Sequence, residues 1–366
     1  MISLRSILAL SLGLPIIAVR ATQYSLVKQY AGAHFFDGWD FYGNYDNLTN
    51  GDAIFVTASQ AASQRLAFVN SAGNAIMKVD NKTNVVFNDK RNTVRISSKD
   101  RFAVGSVWIA DMLHVPYGCS VWPAFWSQAL DWPTGGEIDT FEAVNMESNS
   151  QISLHTVPGC TVVNAVQTST LVNTTDCSFL ANQNSGCAVG NPDPNSYGAA
   201  FAATGGGVFV TEFAETGISL RLTRPPTSVW FFSRGNVPNS LQGNASSVDT
   251  SSLGKPVANY PTGGCNVDRF FQPQKLIFDI TLCGDFAGNP QTFAQTCSGF
   301  CYQDYVIGSP SNYDNAYFEV RSVRIFGTSP SVDITPGSSG ASQDATSVLW
   351  LGLTGLSATL LFLLAL

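Results

Sequence analysis

The strongest constraint on this chain's fold is the recurrence of apolar side chains at every second position in short runs. In KLIFDITL (275–282) Leu276, Phe278, Ile280 and Leu282 share one side, and in GISLRLTR (217–224) Ile218, Leu220 and Leu222 do the same. That is the period of a strand with one buried face. Further apolar runs are AIFV (53–56), LAFV (66–69), SVWIADML (106–113), ISLHTV (152–157), VFVTEF (208–213), SVWFF (228–232) and YFEVRSVRIF (317–326). Turn clusters such as Thr49-Asn50-Gly51-Asp52 and Thr204-Gly205-Gly206-Gly207 separate them. No segment outside the termini carries the pattern of a long amphipathic helix. The expectation is an all-β fold of two antiparallel sheets packed face to face.

Both termini read as targeting segments. MISLRSILALSLGLPIIAVRA (1–21) has one early Arg, an apolar run interrupted by Pro15 and small residues at its end, the layout of a secretory signal peptide, with a membrane anchor as the alternative. SVLWLGLTGLSATLLFLLAL (347–366) is apolar to its last residue with no Lys or Arg after it, and Ser338, Ser339 and Gly340 lie upstream before a polar spacer. This is the arrangement of a glycosylphosphatidylinositol (GPI) signal, with a tail-anchored helix as the alternative. The expected organisation is a signal peptide (1–21), one domain (22–328), a Ser/Gly/Pro linker (329–347) with attachment near 338–340, and a hydrophobic tail (348–366).

The cysteines agree with a secretory route. Cys119, Cys160, Cys177, Cys187, Cys265, Cys283, Cys297 and Cys301 all lie between the two terminal segments, as expected of disulfides formed in an oxidising compartment. Eight cysteines allow 105 pairings, and the spacing selects none of them. Cys297 and Cys301 lack a second short Cys or His pair, so no metal ligand set is read. Sequons at Asn47, Asn81, Asn173 and Asn244 mark expected surface positions. A net charge of −7 with 12% charged residues provides no basic footprint for nucleic acid. A neutral polymer bound through hydroxyls and ring faces suits this surface, and a monomer is the expected form.

One stretch concentrates the acids: GGEIDTFEAVN (135–145) places Glu137, Asp139 and Glu142 within six residues. On a regular strand Glu137 and Asp139 face one way and Glu142 the other. A β-bulge with Thr140 or Phe141 as the extra residue returns Glu142 to the common face. Two Glu four effective positions apart have Cα atoms roughly 13 Å apart at about 3.3 Å per residue. Their side chains can lean together to the roughly 5–5.5 Å carboxyl gap of a retaining glycosidase. Asp139 between them would raise a neighbouring pKa and keep an acid protonated. The same acids also suit a hard cation such as calcium, or a simple polar edge.

The flanking residues narrow these alternatives. GCSVWPAFWSQALDWPTGGEIDTFEAVN (118–145) resembles the active-site region of glycoside hydrolase family 16, in its fungal endo-1,3(4)-β-glucanase, laminarinase-like branch. The similarity continues through SLHTVPGC (153–160), SYGAAFAATGGGVFVTEF (196–213), VWFFSRGNVP (229–238), DITLCGDFAG (279–288) and AYFEVRSVRIF (316–326). The resemblance implies a β-jelly-roll sandwich whose concave face holds a β-glucan. It also implies Glu137 as nucleophile, Asp139 as assisting carboxylate and Glu142 as acid/base. No cofactor is required, while a structural calcium remains open. Trp122, Trp126, Trp132, His155, Trp230 and Arg234 are the substrate-binding candidates, although Trp-Pro-Ala-Phe-Trp cannot point every ring outward, and Phe125 and Trp126 are also core candidates. Phe286 and Phe213 stand where relatives often carry Trp, which implies weakened or shifted substrate binding with the chemistry untouched and leaves the linkage preference unassigned. The expected function is a cell-surface retaining endo-β-glucanase. The alternatives are a glucan transglycosylase on the same site and a glucan-binding or wall-structural protein without turnover.

Overall fold

The computed structural model describes residues 23–172, 174–214, 227–243, 245–327 and 335–336. Two large sheets dominate it, of nine and seven strands. In the seven-stranded sheet we number the strands β1 (Trp39–Phe41), β2 (Arg95–Ser98), β3 (Val121–Gln128), β4 (Glu137–Glu142), β5 (Gln151–His155), β6 (Val189–Gly190) and β7 (Lys275–Leu282). Their spatial order is β6-β5-β4-β3-β7-β2-β1, and all pairings are antiparallel. The nine-stranded sheet is built around Ser106–His114, Tyr317–Gly327, Gly207–Phe213 and Ser228–Ser233. Its pairings are also antiparallel.

Alternation fills the space between the sheets. Leu276, Phe278, Ile280 and Leu282 of β7 are all buried in the main core, as the period-two pattern requires. Phe125 of β3 stacks on Phe278 at 4.4 Å, Phe278 meets Phe318 at 5.2 Å, and Phe141 of β4 meets Phe209 at 5.2 Å. Phe209 and Phe318 belong to the nine-stranded sheet, so aromatic rings bind one sheet to the other. Each buried ring contributes about 1.5–3 kcal/mol, and each favourable ring pair adds about 0.5–1.5 kcal/mol.

The expected runs at 53–56, 66–69, 106–113, 152–157, 208–213, 228–232, 275–282 and 317–326 all contain strands. The strand expected at 217–224 lies outside the described residues, as do both terminal segments and the sequon asparagines Asn173 and Asn244. Asn47 is exposed and Asn81 partly so. Described helices have seven residues or fewer. All eight cysteines pair, as Cys119–Cys297, Cys160–Cys265, Cys177–Cys187 and Cys283–Cys301. A second apolar cluster, containing Tyr24, Val107, Ile109, Val208, Val210 and Trp230, draws its strand residues from the nine-stranded sheet.

Candidate active site

The acidic strand is bulged. Against β3, Phe141 pairs with Phe125 and Asp139 with Trp126, which leaves Thr140 without a partner, and Glu142 pairs with Ala124. Thr140 is therefore the extra residue. Its buried hydroxyl shares a hydrogen bond with Thr211 of the other sheet at 2.6 Å. Ile138, Thr140 and Phe141 all turn inward, while Glu137, Asp139 and Glu142 all line one open pocket. Two consecutive inward residues are what a bulge permits and a regular strand forbids. The strand enters through Gly136 at φ 72°, where an added Cβ would collide with the Phe271 ring and the Phe270 carbonyl. Glycine alone fits that approach.

Each carboxylate has fixed partners. Trp132 Nε1 donates to Glu137 at 2.5 Å, and Trp122 Nε1 and Gln151 Nε2 donate to Glu142 at 2.7 and 2.6 Å. Asp139 accepts from Ser153 Oγ at 2.5 Å and faces His155 Nε2 at 3.1 Å. Both indoles are met edge-on by a phenylalanine: Trp122 by Phe286 at 5.5 Å, and Trp132 by Phe179 at 5.6 Å. Trp126 Nε1 donates to Asp279 at 2.6 Å, and the Arg95 guanidinium lies over the Trp126 and Tyr42 rings at 5.0 and 4.9 Å.

These surroundings set the charges. Burial, and then the Asp139 charge, push Glu142 up to about 7 against the Gln151 and Trp122 hydrogen bonds. Burial, and then Asp139, raise Glu137 well above the ordinary carboxylate range, opposed by the His155 charge and the Trp132 N–H. Burial disfavours a charged His155, but Glu137 and Asp139 outweigh it and bring the imidazole up to about 10. Asp279 rises to about 6 through burial, which Arg95 and Trp126 oppose. The site thus holds several acids that titrate apart from ordinary carboxylates beside one imidazolium.

Among the described residues, one cluster could offer three ligand atoms to a metal: Glu137, Asp139 and His155, all within 4.8 Å of one another. Its imidazole nitrogen is not the all-oxygen donor set that calcium prefers. The protonated ring itself supplies a positive charge there.

The chain is similar to a family of known proteins. Residues 39–326 match the sequence profile of the XgeA-like catalytic GH16 domain. The chain belongs to glycoside hydrolase family 16. It is 38% identical over 310 residues to the "Probable glycosidase" of Schizosaccharomyces pombe, covering 84% of this chain and 70% of that one. It is 32% identical to the endo-1,3(4)-beta-glucanase xgeA of Emericella nidulans, covering 92% of this chain but 53% of that relative. The chain therefore spans about half the length of that relative. Among solved structures, GH16 Laminarinase 16A from Phanerochaete chrysosporium, with β-glucans in donor and acceptor sites, superposes with a TM-score of 0.76. It has 32% identity and covers 83% of this chain and 99% of that one. An elongating GH family 16 β-1,3-glucosyltransferase gives a TM-score of 0.73, at 33% identity and the same coverage.

Within the family 16 pocket, the structure gathers Trp122, Trp126 and Trp132 with the three acids. His155 lies just behind, on β5 against Asp139. Trp230 is a correction: it is 3% exposed in the second apolar cluster and donates to the Gly254 carbonyl, away from the pocket. Arg234 is another. Its guanidinium holds Asp111 at 2.5 Å and the Met112 and Gly205 carbonyls, so it secures a loop of the other sheet. Phe213 packs in the core against Trp108 and Phe271, so only Phe286 of the two Trp-to-Phe departures touches a pocket residue. Asp46, Arg95, Gln128, Asn184, Asp279 and Thr281 also line the pocket and were missed from sequence. Alternation could have found two of them, because Asp279 and Thr281 occupy the non-apolar side of KLIFDITL.

Proposed function

We propose that this domain is a retaining endo-β-glucanase acting on β-1,3 or mixed β-1,3/1,4 glucan. The observation that carries the proposal is the bulge at Thr140, which sets Glu137, Asp139 and Glu142 on one pocket face. Glu142, raised to about 7, is suited to giving its proton to the leaving glycosidic oxygen. Glu137 attacks the anomeric carbon and the bond to the leaving group breaks. Glu137 attacks as its carboxylate, a form that the His155 charge and the Trp132 N–H favour against burial and Asp139, and the glycosyl-enzyme ester forms. Glu142, now anionic, removes a proton from water, whose oxygen displaces Glu137 and restores the enzyme. Trp122, Trp126 and Trp132 offer ring faces to the pyranose rings.

A second reading, transfer of the glycosyl group to another glucan, is supported by the likeness to the elongating β-1,3-glucosyltransferase. In that reading Glu142 deprotonates a sugar hydroxyl instead of water. We also propose that the domain is secreted and held at the cell surface by a GPI anchor. Release by a phosphatidylinositol-specific phospholipase tests that placement.

The decisive experiment incubates the domain with laminarin, with lichenan and with a glucan acceptor, and weighs the products. Shorter chains of retained anomeric configuration are expected, with a fluorinated glucosyl donor trapped on Glu137. Wild-type protein that binds glucan and neither cuts nor transfers it would refute the proposal.

A further inference from the structure

The loop between Cys177 and Cys187 holds three successive non-glycine residues in the left-handed region: Asn182 at φ 47°, Gln183 at φ 57° and Asn184 at φ 60°. Asn visits that region singly, and a run costs about 1–3 kcal/mol per residue, so it persists only where its surroundings impose it. Here the disulfide closes the loop across ten residues. Cys187 N donates to the Leu154 carbonyl at 3.2 Å. Gly186, at φ 60°, lies so close to β5 that an added Cβ would stand 2.9 Å from the His155 ring. From this frame the loop presents two groups. Asn184 Oδ1 lies 3.0 Å from His155 Nδ1, and Phe179 stands edge-on to Trp132.

We infer that the Cys177–Cys187 loop is a positioning device for the acidic trio, in which Asn184 holds His155 doubly protonated and Phe179 holds the Trp132 indole on Glu137. The inference deepens the glucanase reading and rests on it for its effect on turnover. The ring's two nitrogens face two acceptors, Asp139 Oδ2 at 3.1 Å and Asn184 Oδ1 at 3.0 Å. Only an imidazolium donates to both. The hydroxyl of Ser153, 3.3 Å from Nε2, donates its own proton to Asp139 and leaves a lone pair for the ring. The charged groups around His155 are Glu137 and Asp139 of β4, and the loop adds an uncharged amide. A fixed positive charge beside the Glu137–Asp139 pair favours an ionised Glu137, and the Trp132 N–H on Glu137 does the same. One disulfide-closed loop thus backs two separate contacts that prepare the nucleophile. Asn184 is a positioning residue, since it acts on the carboxylates through His155.

The test labels the histidines of the intact domain with ¹⁵N and titrates His155 by NMR, alongside kcat and KM on laminarin oligosaccharides. Asn184→Gly keeps the left-handed backbone and removes only the amide, and Asn184→Asp returns an oxygen acceptor. In wild type both ring nitrogens are expected to stay protonated at neutral pH. In Asn184→Gly the titration should fall by about one pH unit or more. Its kcat should fall about tenfold, with KM nearly unchanged. Asn184→Asp should restore the doubly protonated ring. A neutral wild-type ring, or a His155 titration indifferent to Asn184→Gly in folded protein, would overturn the inference. Wild type inactive on glucan, with a titration that still follows Asn184, would support the device and sink the glucanase reading alone.

Discussion

Deleting Thr140 tests whether the bulge is what joins the three carboxylates. The deletion makes the spacing regular, so that all three acids fall on alternate positions of one face. In the bulged strand Glu137 pairs with Gln128 and Glu142 with Ala124, already four positions apart on the straight neighbour β3. The span between the two Glu, roughly 13 Å at Cα, is therefore unchanged. The loss is the Thr140–Thr211 hydrogen bond, about 1 kcal/mol, with about 1–3 kcal/mol more if the buried Thr211 hydroxyl finds no new partner. Deleting Phe141 gives the same regular spacing but puts a threonine where the ring meets Phe209, Phe318 and Tyr197. That cavity costs about 3–5 kcal/mol. Urea unfolding with disulfides intact should show the Phe141 deletion to be much the weaker of the two. The Thr140 deletion should keep measurable hydrolysis of laminarin or lichenan, reduced up to about 100-fold by sub-ångström misplacement. A folded Thr140 deletion without detectable turnover, or a Phe141 deletion no less stable than it, would refute this account.

Other consequences concern charge and binding. Because Glu142 is protonated below about 7, kcat/KM should fall as pH rises through that value. Glu142→Gln should abolish this limb and, on substrates whose leaving group needs no proton, retain most of kcat/KM while kcat falls, because breakdown of the glycosyl-enzyme still needs the base. A carboxyl raised in the folded state binds more protons folded than unfolded, so stability falls between its ordinary value and about 7 as pH rises. Glu142→Gln should accordingly resist urea better than wild type at pH 8 and about equally near pH 4, and the reverse order would contradict the burial argument. Trp126→Ala should raise KM for laminarin about tenfold by removing a stacking face. Trp230→Phe should leave KM unchanged and lower the melting temperature, as its indole bonds the Gly254 carbonyl outside the pocket.

The sheets and the trio were legible because period-two alternation and a five-residue Glu spacing are local signals. The bulge was predictable to within Thr140 or Phe141, and the contact of Thr140 with Thr211, 71 residues away, is what selects between them. Trp230 misled because a tryptophan on a strand gives no sign of which sheet, or which face, it will occupy. Arg234 was ambiguous for a similar reason: its partner Asp111 is 123 residues distant. Arg95 and Asn184 gave no local signal, since one sits in an unremarked short strand and the other in a polar loop. Disulfide pairing was illegible for the same reason, because only the fold brings Cys119 to Cys297 across 178 residues.

The two glutamates are built as near mirror images. Each accepts from a tryptophan N–H, each tryptophan meets the edge of a phenylalanine, and each phenylalanine lies within a segment bounded by a disulfide. Phe179 falls between Cys177 and Cys187, and Phe286 between Cys283 and Cys301. Two of the four cross-links thus lie behind the two ends of the acidic strand, with Cys177, Cys187 and Cys283 themselves packed into the main core. Reducing Cys177–Cys187 or Cys283–Cys301 would loosen the segment that carries the phenylalanine behind one indole, so each end of the acidic strand would lose its support separately.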